Sequence, residues 1–352
     1  MKFFYAMNKW WLVSAACLLF ALDGQAQDPH FAQFYTANMQ FNPAMTGVHS
    51  GRFRVAVNYR DQWGAVIDNP FRTIGAAFDV RHRIGRGDFI AYGVNVLRDE
   101  AGESFYTRNS GNLNLSYMKQ LGGGRYRRAD QYLVAGASAG VGQHRIDVNG
   151  VWFSSQYDNA NAQVNTDLPS NENINSMSDL YVDVNAGLLY YAVFDDNASF
   201  YFGGALHHVN SPQISFFNNS DQTLYSKWVA QTGGEIPLNR DLSLLPGVIV
   251  MGQGPSLTSI FGTNFRYTNR DWREVAVRIG VWGELSNRFD GISIPSIIAT
   301  SILEMGPLNI GLSYDVNAGL VAQPSNNRGA FEISLVYVQP ATRKLRVRCP
   351  KL

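Results

Sequence analysis

A period of two runs through most of this chain and limits what it can fold into. In RFRVAVNYR (52–60), Phe53, Val55, Val57 and Tyr59 fall on one side, with Arg54, Asn58 and Arg60 on the other. GNLNLSYMK (111–119) sets Leu113, Leu115 and Tyr117 against Asn112, Asn114 and Ser116. REVAVRIGVW (273–282) sets Val275, Val277, Ile279 and Val281 against Glu274, Arg278 and Gly280. LNIGLSYD (308–315) sets Leu308, Ile310, Leu312 and Tyr314 against Asn309, Gly311, Ser313 and Asp315. Side chains of a strand alternate between its two faces, so each segment reads as a strand lying between oil and something wetter. No segment shows a comparable helical stripe.

Alternation and turn signals together predict about 14 strands: 52–60, 71–83, 88–99, 106–120, 130–144, 180–194, 198–209, 225–237, 240–252, 257–268, 273–284, 292–304, 306–316 and 329–338. The short links at Asp195–Asn197, Leu238–Arg240, Gly252–Ser256 and Met305–Pro307 read as hairpin turns, and the widest link covers Asp147–Asp179. Two architectures take many antiparallel strands: soluble sandwiches or propellers, and membrane barrels. Strands of roughly 9–14 residues exceed the five or six usual in soluble sheets and suffice to cross a bilayer at a tilt. Tyr59, Tyr117, Tyr190, Tyr267, Trp282, Tyr314 and Tyr337 lie at or near segment ends, where aromatic girdles are needed. The expectation is an all-β, transmembrane, antiparallel outer-membrane β-barrel. An even strand count puts both chain ends on the periplasmic side, and closure removes the strand edges that lipid cannot solvate.

The ends of the chain are of a different kind. Lys2 and Lys9 flank an aromatic patch, an apolar run follows from Trp10 to Leu22, and Gly24-Gln25-Ala26 supplies small residues at a cleavage site, with Met7 as an alternative start. This predicts a signal peptide over 1–26 and therefore export, the run being too short for a spanning helix. Cys17 lies too deep in the run for lipoprotein cleavage. A lead-in or plug segment (27–50), the barrel (51–338) and a basic periplasmic tail (339–352) complete the organisation. The tail carries Arg343, Lys344, Arg346, Arg348 and Lys351, no acidic residue, and Cys349.

Without Lys2, Lys9 and Asp23 the chain holds 27 basic and 27 acidic residues, a balance that suggests no nucleic-acid partner. One cysteine outside the leader cannot make an internal disulfide. The six histidines (His30, His49, His82, His144, His207 and His208) form no HExxH, and there is no CxxC and no GxSxG. Neighbours in a strand, His207 and His208 face opposite ways. Asp158, Asn159 and Asn161 lack EF-hand order and read as a solvated loop. No metal, cofactor or active site is expected. Arg54, Asn58, Arg60, Arg278, Asp315 and Glu332, with Arg81, Arg98, Asp183 and Glu284, are placed facing the lumen, either as ordinary interior pairs or as the wall of a solute path or partner site. The aromatics and amides of Phe31–Gly47 have no strand period. They fit a plug, a periplasmic rim segment or a simple lead-in, and as a plug Asn38, Gln40 and Asn42 would pair with the polar interior.

QDPHFAQFYTANMQFNPAMTG (27–47), NYRDQWG (58–64), DEAGESF (99–105), GLLYY (187–191), GALHHVNSP (204–212), GLSYDVNAG (311–319), FEISLVY (331–337) and RCPKL (348–352) occur in an order that resembles the PorP/SprF family of type IX secretion membrane proteins. The resemblance covers essentially the whole chain behind the leader. It implies a non-enzymatic barrel in the outer membrane of a Gram-negative bacterium. Some members of that family work beside periplasmic ring subunits and an OmpA-like peptidoglycan-binding lipoprotein. Others serve one large secreted client, such as a gliding adhesin, in its export or surface attachment. Arg343–Lys351 is then a candidate dock for a periplasmic partner, with lipid phosphates as the rival. A diffusion channel or specific solute transporter, and a barrel hydrolase, are the competing functions.

Overall fold

The computed structural model describes residues 27–341, apart from 86, 103, 124–128, 149–150, 160, 171–173, 196, 218–221, 270–274, 289–290 and 320–321, together with 349 and 350. The expected signal peptide and all five basic tail residues, Arg343, Lys344, Arg346, Arg348 and Lys351, lie outside the described residues.

Fourteen strands form one closed antiparallel barrel. They are β1 (Phe53–Gln62), β2 (Phe71–Ile84), β3 (Asp88–Ala101), β4 (Tyr106–Gly122), β5 (Asp130–Arg145), β8 (Tyr181–Asp195), β9 (Ala198–His207), β10 (Lys227–Pro237), β11 (Leu242–Gln253), β12 (Ser256–Thr268), β13 (Val275–Arg288), β14 (Gly291–Met305), β15 (Leu308–Asn317) and β16 (Arg328–Val338). A two-residue hairpin, β6 (Tyr157–Asp158) and β7 (Gln163–Val164), lies in the long link between β5 and β8. Order around the wall follows the sequence, and β1 pairs with β16 to close it. Thirteen strands end within two residues of their expected limits; β13 runs on to Arg288 because a bulge between Glu284 and Ser286 breaks the alternation there without ending the pairing.

The wall is inside-out relative to a soluble protein. Along β16, Glu332 and Ser334 are buried, whereas Phe331, Ile333 and Leu335 are exposed; along β4, Asn114 and Ser116 are buried and Leu113, Leu115 and Tyr117 exposed. The outward apolar residues of neighbouring strands join into a belt far larger than a soluble monomer exposes, which suits hydrocarbon rather than water. Tyr117, Tyr190, Tyr267 and Tyr337 point outward near the end with the tight turns, and Tyr59 and Tyr314 near the end with the long loops. Trp282 corrects the girdle expectation: it points inward and is buried, as its place next to outward Val281 dictates. Arg98 likewise lies outside the barrel, largely exposed and paired with Glu100 at 3.1 Å, because the inward phase of β3 falls on Asn95 and Asp99.

Candidate functional site: an occupied lumen

The lumen holds the chain's own segment 27–50. Phe31, Gln33, Asn42, Ala44 and Thr46 have essentially no solvent exposure, although no strand pairs with them. The segment has one helical turn (Asn38–Phe41) and one 3-10 turn (Pro43–Met45), with the Asn42 carboxamide oxygen accepting from the Ala44 N–H at 2.9 Å. Asp28 lies at the long-loop end beside Arg108, His208 and Gln253, whereas Gly47 to Gly51 meet Arg81 near the tight-turn end. The segment therefore runs the length of the barrel.

Three groups of inward side chains hold it. In the first, Glu332 on β16 accepts from the N–H groups of Ala32 and Gln33 at 2.8 and 3.0 Å, one per carboxylate oxygen. Arg60, its direct neighbour across the β1–β16 seam, donates to Glu332 at 3.2 Å and to Asp315 at 2.6 Å. Gln33 donates to Ser313 at 3.2 Å and accepts from Ser334 at 2.8 Å, and Asn58 donates to the Thr36 hydroxyl at 2.6 Å. In the second, Arg54 donates two bonds to Asp79 (2.9 and 3.0 Å) and one to the Met45 carbonyl, while Asp79 accepts from Gly47 N–H at 2.6 Å. Arg81 donates to the carbonyls of Gly47, His49 and Gly51, and Cys349 packs beside it at 3.4 Å. In the third, Asp28 is gripped by Arg108 and by His208 (2.7 Å), whose other ring nitrogen meets Asp183 at 2.8 Å.

Burial opposes ionisation of Asp28, yet Arg108, Lys227 and His208 outweigh it and hold the carboxyl well below its ordinary range. Burial likewise works against the His208 cation, but Asp28 and Asp183 more than compensate and raise its pKa above the usual histidine value.

Apolar contacts and missing side chains complete the fit. Phe34 and Tyr35 pack on Trp282 with ring centroids 5.4 and 5.5 Å apart. A side chain at inward Gly136 would overlap the main chain of Pro43 and Ala44, and one at Gly75 would meet Phe31 and Gln40. Asn42 donates to the Leu188 and Gly204 carbonyls, and His207 meets the Phe41 carbonyl at 2.9 Å. Asn38 is buried among them.

Of the residues singled out as lumen-facing, Arg60, Asp315 and Glu332 meet at one point, and Arg54 and Asn58 contact the segment separately. Arg278 pairs with Glu304 and borders a small cavity together with Phe34 and Tyr35 of the segment. Asp28, Asp79, Arg108 and His208 were not singled out. Asp79 and Arg108 share the inward phase of Arg81 and of Asn112 and Asn114, so parity alone could have found them. Asp28 lies ahead of the barrel strands and gave no such signal. The expectation that His207 and His208 face opposite ways is corrected: β9 ends at His207, and His208, at a φ of 55°, turns inward as well. Above the segment, at the long-loop end, is a cavity of about 770 Å³ bordered by His30, Arg60, Arg108, Tyr106, Phe216 and Tyr225. Among the described residues no group of three metal-ligating side chains occurs.

Residues 23–337 match the family described as type IX secretion system membrane protein PorP/SprF. The chain belongs to this family. No curated protein matches the sequence. Among solved structures, the Ralstonia pickettii toluene transporter TbuX is similar at 12% identity over 87% of this chain and 94% of that one, with a TM-score of 0.45. CdiB from Acinetobacter baumannii is similar at 8% identity over 81% of this chain and 60% of CdiB, with a TM-score of 0.45. BamA from Haemophilus ducreyi, lacking POTRA domains 1–3, gives 11% identity over 82% and 70%, with a TM-score of 0.38. The PorP/SprF member described here is thus a membrane barrel of the type IX system whose interior is taken up by its own chain.

Proposed function

We propose that this PorP/SprF protein lies in the outer membrane of a Gram-negative bacterium, tight turns in the periplasm and long loops outside. There it supports export or surface attachment of a large secreted protein by binding that client or periplasmic subunits of the machinery, with no enzymatic activity. One observation carries the reading: segment 27–50 occupies the lumen through buried, hydrogen-bonded contacts along its whole length. A barrel filled in this way has surfaces to offer rather than a water path. Arg54, Asn58, Arg81 and Glu332, among the polar side chains expected to line a solute route, instead bond to the segment. The long loops and the cavity beneath them are the natural place for a client at the cell surface. The basic tail, Arg343 to Lys351, is the natural dock for periplasmic ring subunits or an OmpA-like lipoprotein, since a basic run attracts an acidic face within a Debye length of ~8 Å.

A deletion strain tests this. Loss of one large protein from the cell surface, with uptake of small solutes unchanged, is the expected result. Complementation with a chain lacking Ala341–Leu352 should restore a heat-resistant barrel that no longer captures the periplasmic subunits. An uptake defect with surface proteins intact would instead establish the diffusion-channel or solute-transporter alternative.

A further inference from the structure

The ladder between β10 and β11 is interrupted. β10 and β11 pair up to Gly233 and Gly247 and again from Ile236 and Leu244, but the two positions between them make no pair. The residues at this gap are Gly234, Glu235, Leu245 and Pro246; proline has no N–H to give to a ladder. On their other sides both strands pair normally, with β9 and with β12. The gap is therefore local.

Outside it lies a groove of about 500 Å³, bordered by Phe194, Phe200, Ile236 and Val248 and, where no side chain stands, by Gly233 and Gly234. Directly inside is a small cavity bordered by Phe34, Tyr35 and Trp282, and the two share Gly234, Pro246 and Gly247. A side chain on Gly234 would overlap the main chain of Ser199 and Phe200, so the bare backbone here is required by the fold. The lumen segment backs the gap from within; among the described residues none covers it from without.

We propose that a phospholipid acyl chain occupies this groove and completes the wall. The groove opens beside the exposed apolar residues Phe202, paired with Thr232, and Phe261, paired with Val248, in the belt that faces hydrocarbon. Its polar side chains are not turned to a ligand: the Thr232 hydroxyl donates to the Tyr201 carbonyl at 2.9 Å, and Ser199 and Glu235 are buried on the inward side. These side chains offer a headgroup no outward-facing charge, whereas an unbranched hydrocarbon chain needs only apolar contact. The groove lies toward the tight-turn end, where Ile236 and Pro237 close β10. The choice of phospholipid rests on the orientation proposed above, which puts that end in the periplasmic leaflet.

The experiment uses the full chain in vesicles of phosphatidylethanolamine and phosphatidylglycerol, with a trace of phosphatidylethanolamine carrying a diazirine on its acyl chain. After illumination, adducts should concentrate on the peptides containing Thr232–Pro237 and Val248. Thr232→Phe, which fills the groove from the outer face, should bring them down to the level of the remaining wall, and Val248→Phe should do the same if the first variant does not assemble. Adducts spread evenly over outward residues in the unaltered protein would overturn the proposal. Orientation is read separately, by labelling of a cysteine placed in the 238–241 turn on intact cells, so failure of one reading is not mistaken for failure of the other.

Discussion

Glu332→Gln keeps the shape of the side chain and removes its charge. The variant would leave Arg60 with Asp315 alone, keep one weaker acceptor bond to the Ala32 and Gln33 amides, and lose the other, since the new NH2 group can only donate. Breaking a buried ion pair from one side costs about 3–5 kcal/mol, and the surviving Asp315 contact puts this case near the lower figure. Hydrogen exchange at Ala32 and Gln33 should accelerate on the order of a hundredfold, one factor of ten per ~1.4 kcal/mol. Unchanged exchange would mean the carboxylate is not what holds the segment. Asp28 and His208 make a pH-dependent anchor with two limbs. The depressed Asp28 pKa adds stability above the ordinary carboxylate value that is lost as pH falls through the folded value. The raised His208 pKa adds stability below the ordinary histidine value that is lost as pH rises through the folded one. Protection of residues 28–30, corrected for intrinsic exchange rates, should therefore be greatest between about pH 4 and about 6.5 and decline on both sides. Asp28→Asn should abolish the acid limb and reduce the alkaline one, where Asp183 still pairs with His208.

At the scale of elements, the lumen segment depends on the bareness of the wall around it. Gly136→Val would drive a branched side chain into the main chain of Pro43 and Ala44 while leaving the outward face of β5 unaltered. The variant should assemble as a barrel and conduct ions in a planar bilayer where the unaltered protein does not; a silent bilayer with the variant would show that the lumen stays blocked without a seated segment. Strands were legible because their signal is local: an outward Leu115 and an inward Asn114 are neighbours in sequence and in space. Trp282 shows that even an error was correctable from the chain, since outward Val281 fixes its phase. The place of Phe31–Gly47 was not legible, and the alternatives of plug, rim and lead-in stayed open. Its partners, Glu332 and Ser334 for Gln33 and Leu188 for Asn42, are some 300 and 146 residues away, and no periodicity encodes contacts of that range.

For the molecule as a whole, strand number and closure followed from the alternation, but filling did not. A barrel wall with an inward Arg60, Asp315 and Glu332 is equally a pore lining and a socket until something is known to lie against it. The seam shows what the filling entails. Arg60 and Glu332 face each other directly across the junction of the first and last strands, and the same carboxylate caps the amides of Ala32 and Gln33. Zipping the sheet without the segment would take both amide donors from that acid, leaving one oxygen with Arg60 and the other with none of these donors. A cylinder that shuts without the segment forfeits bonds at its own join, so a single side chain ties filling to closure.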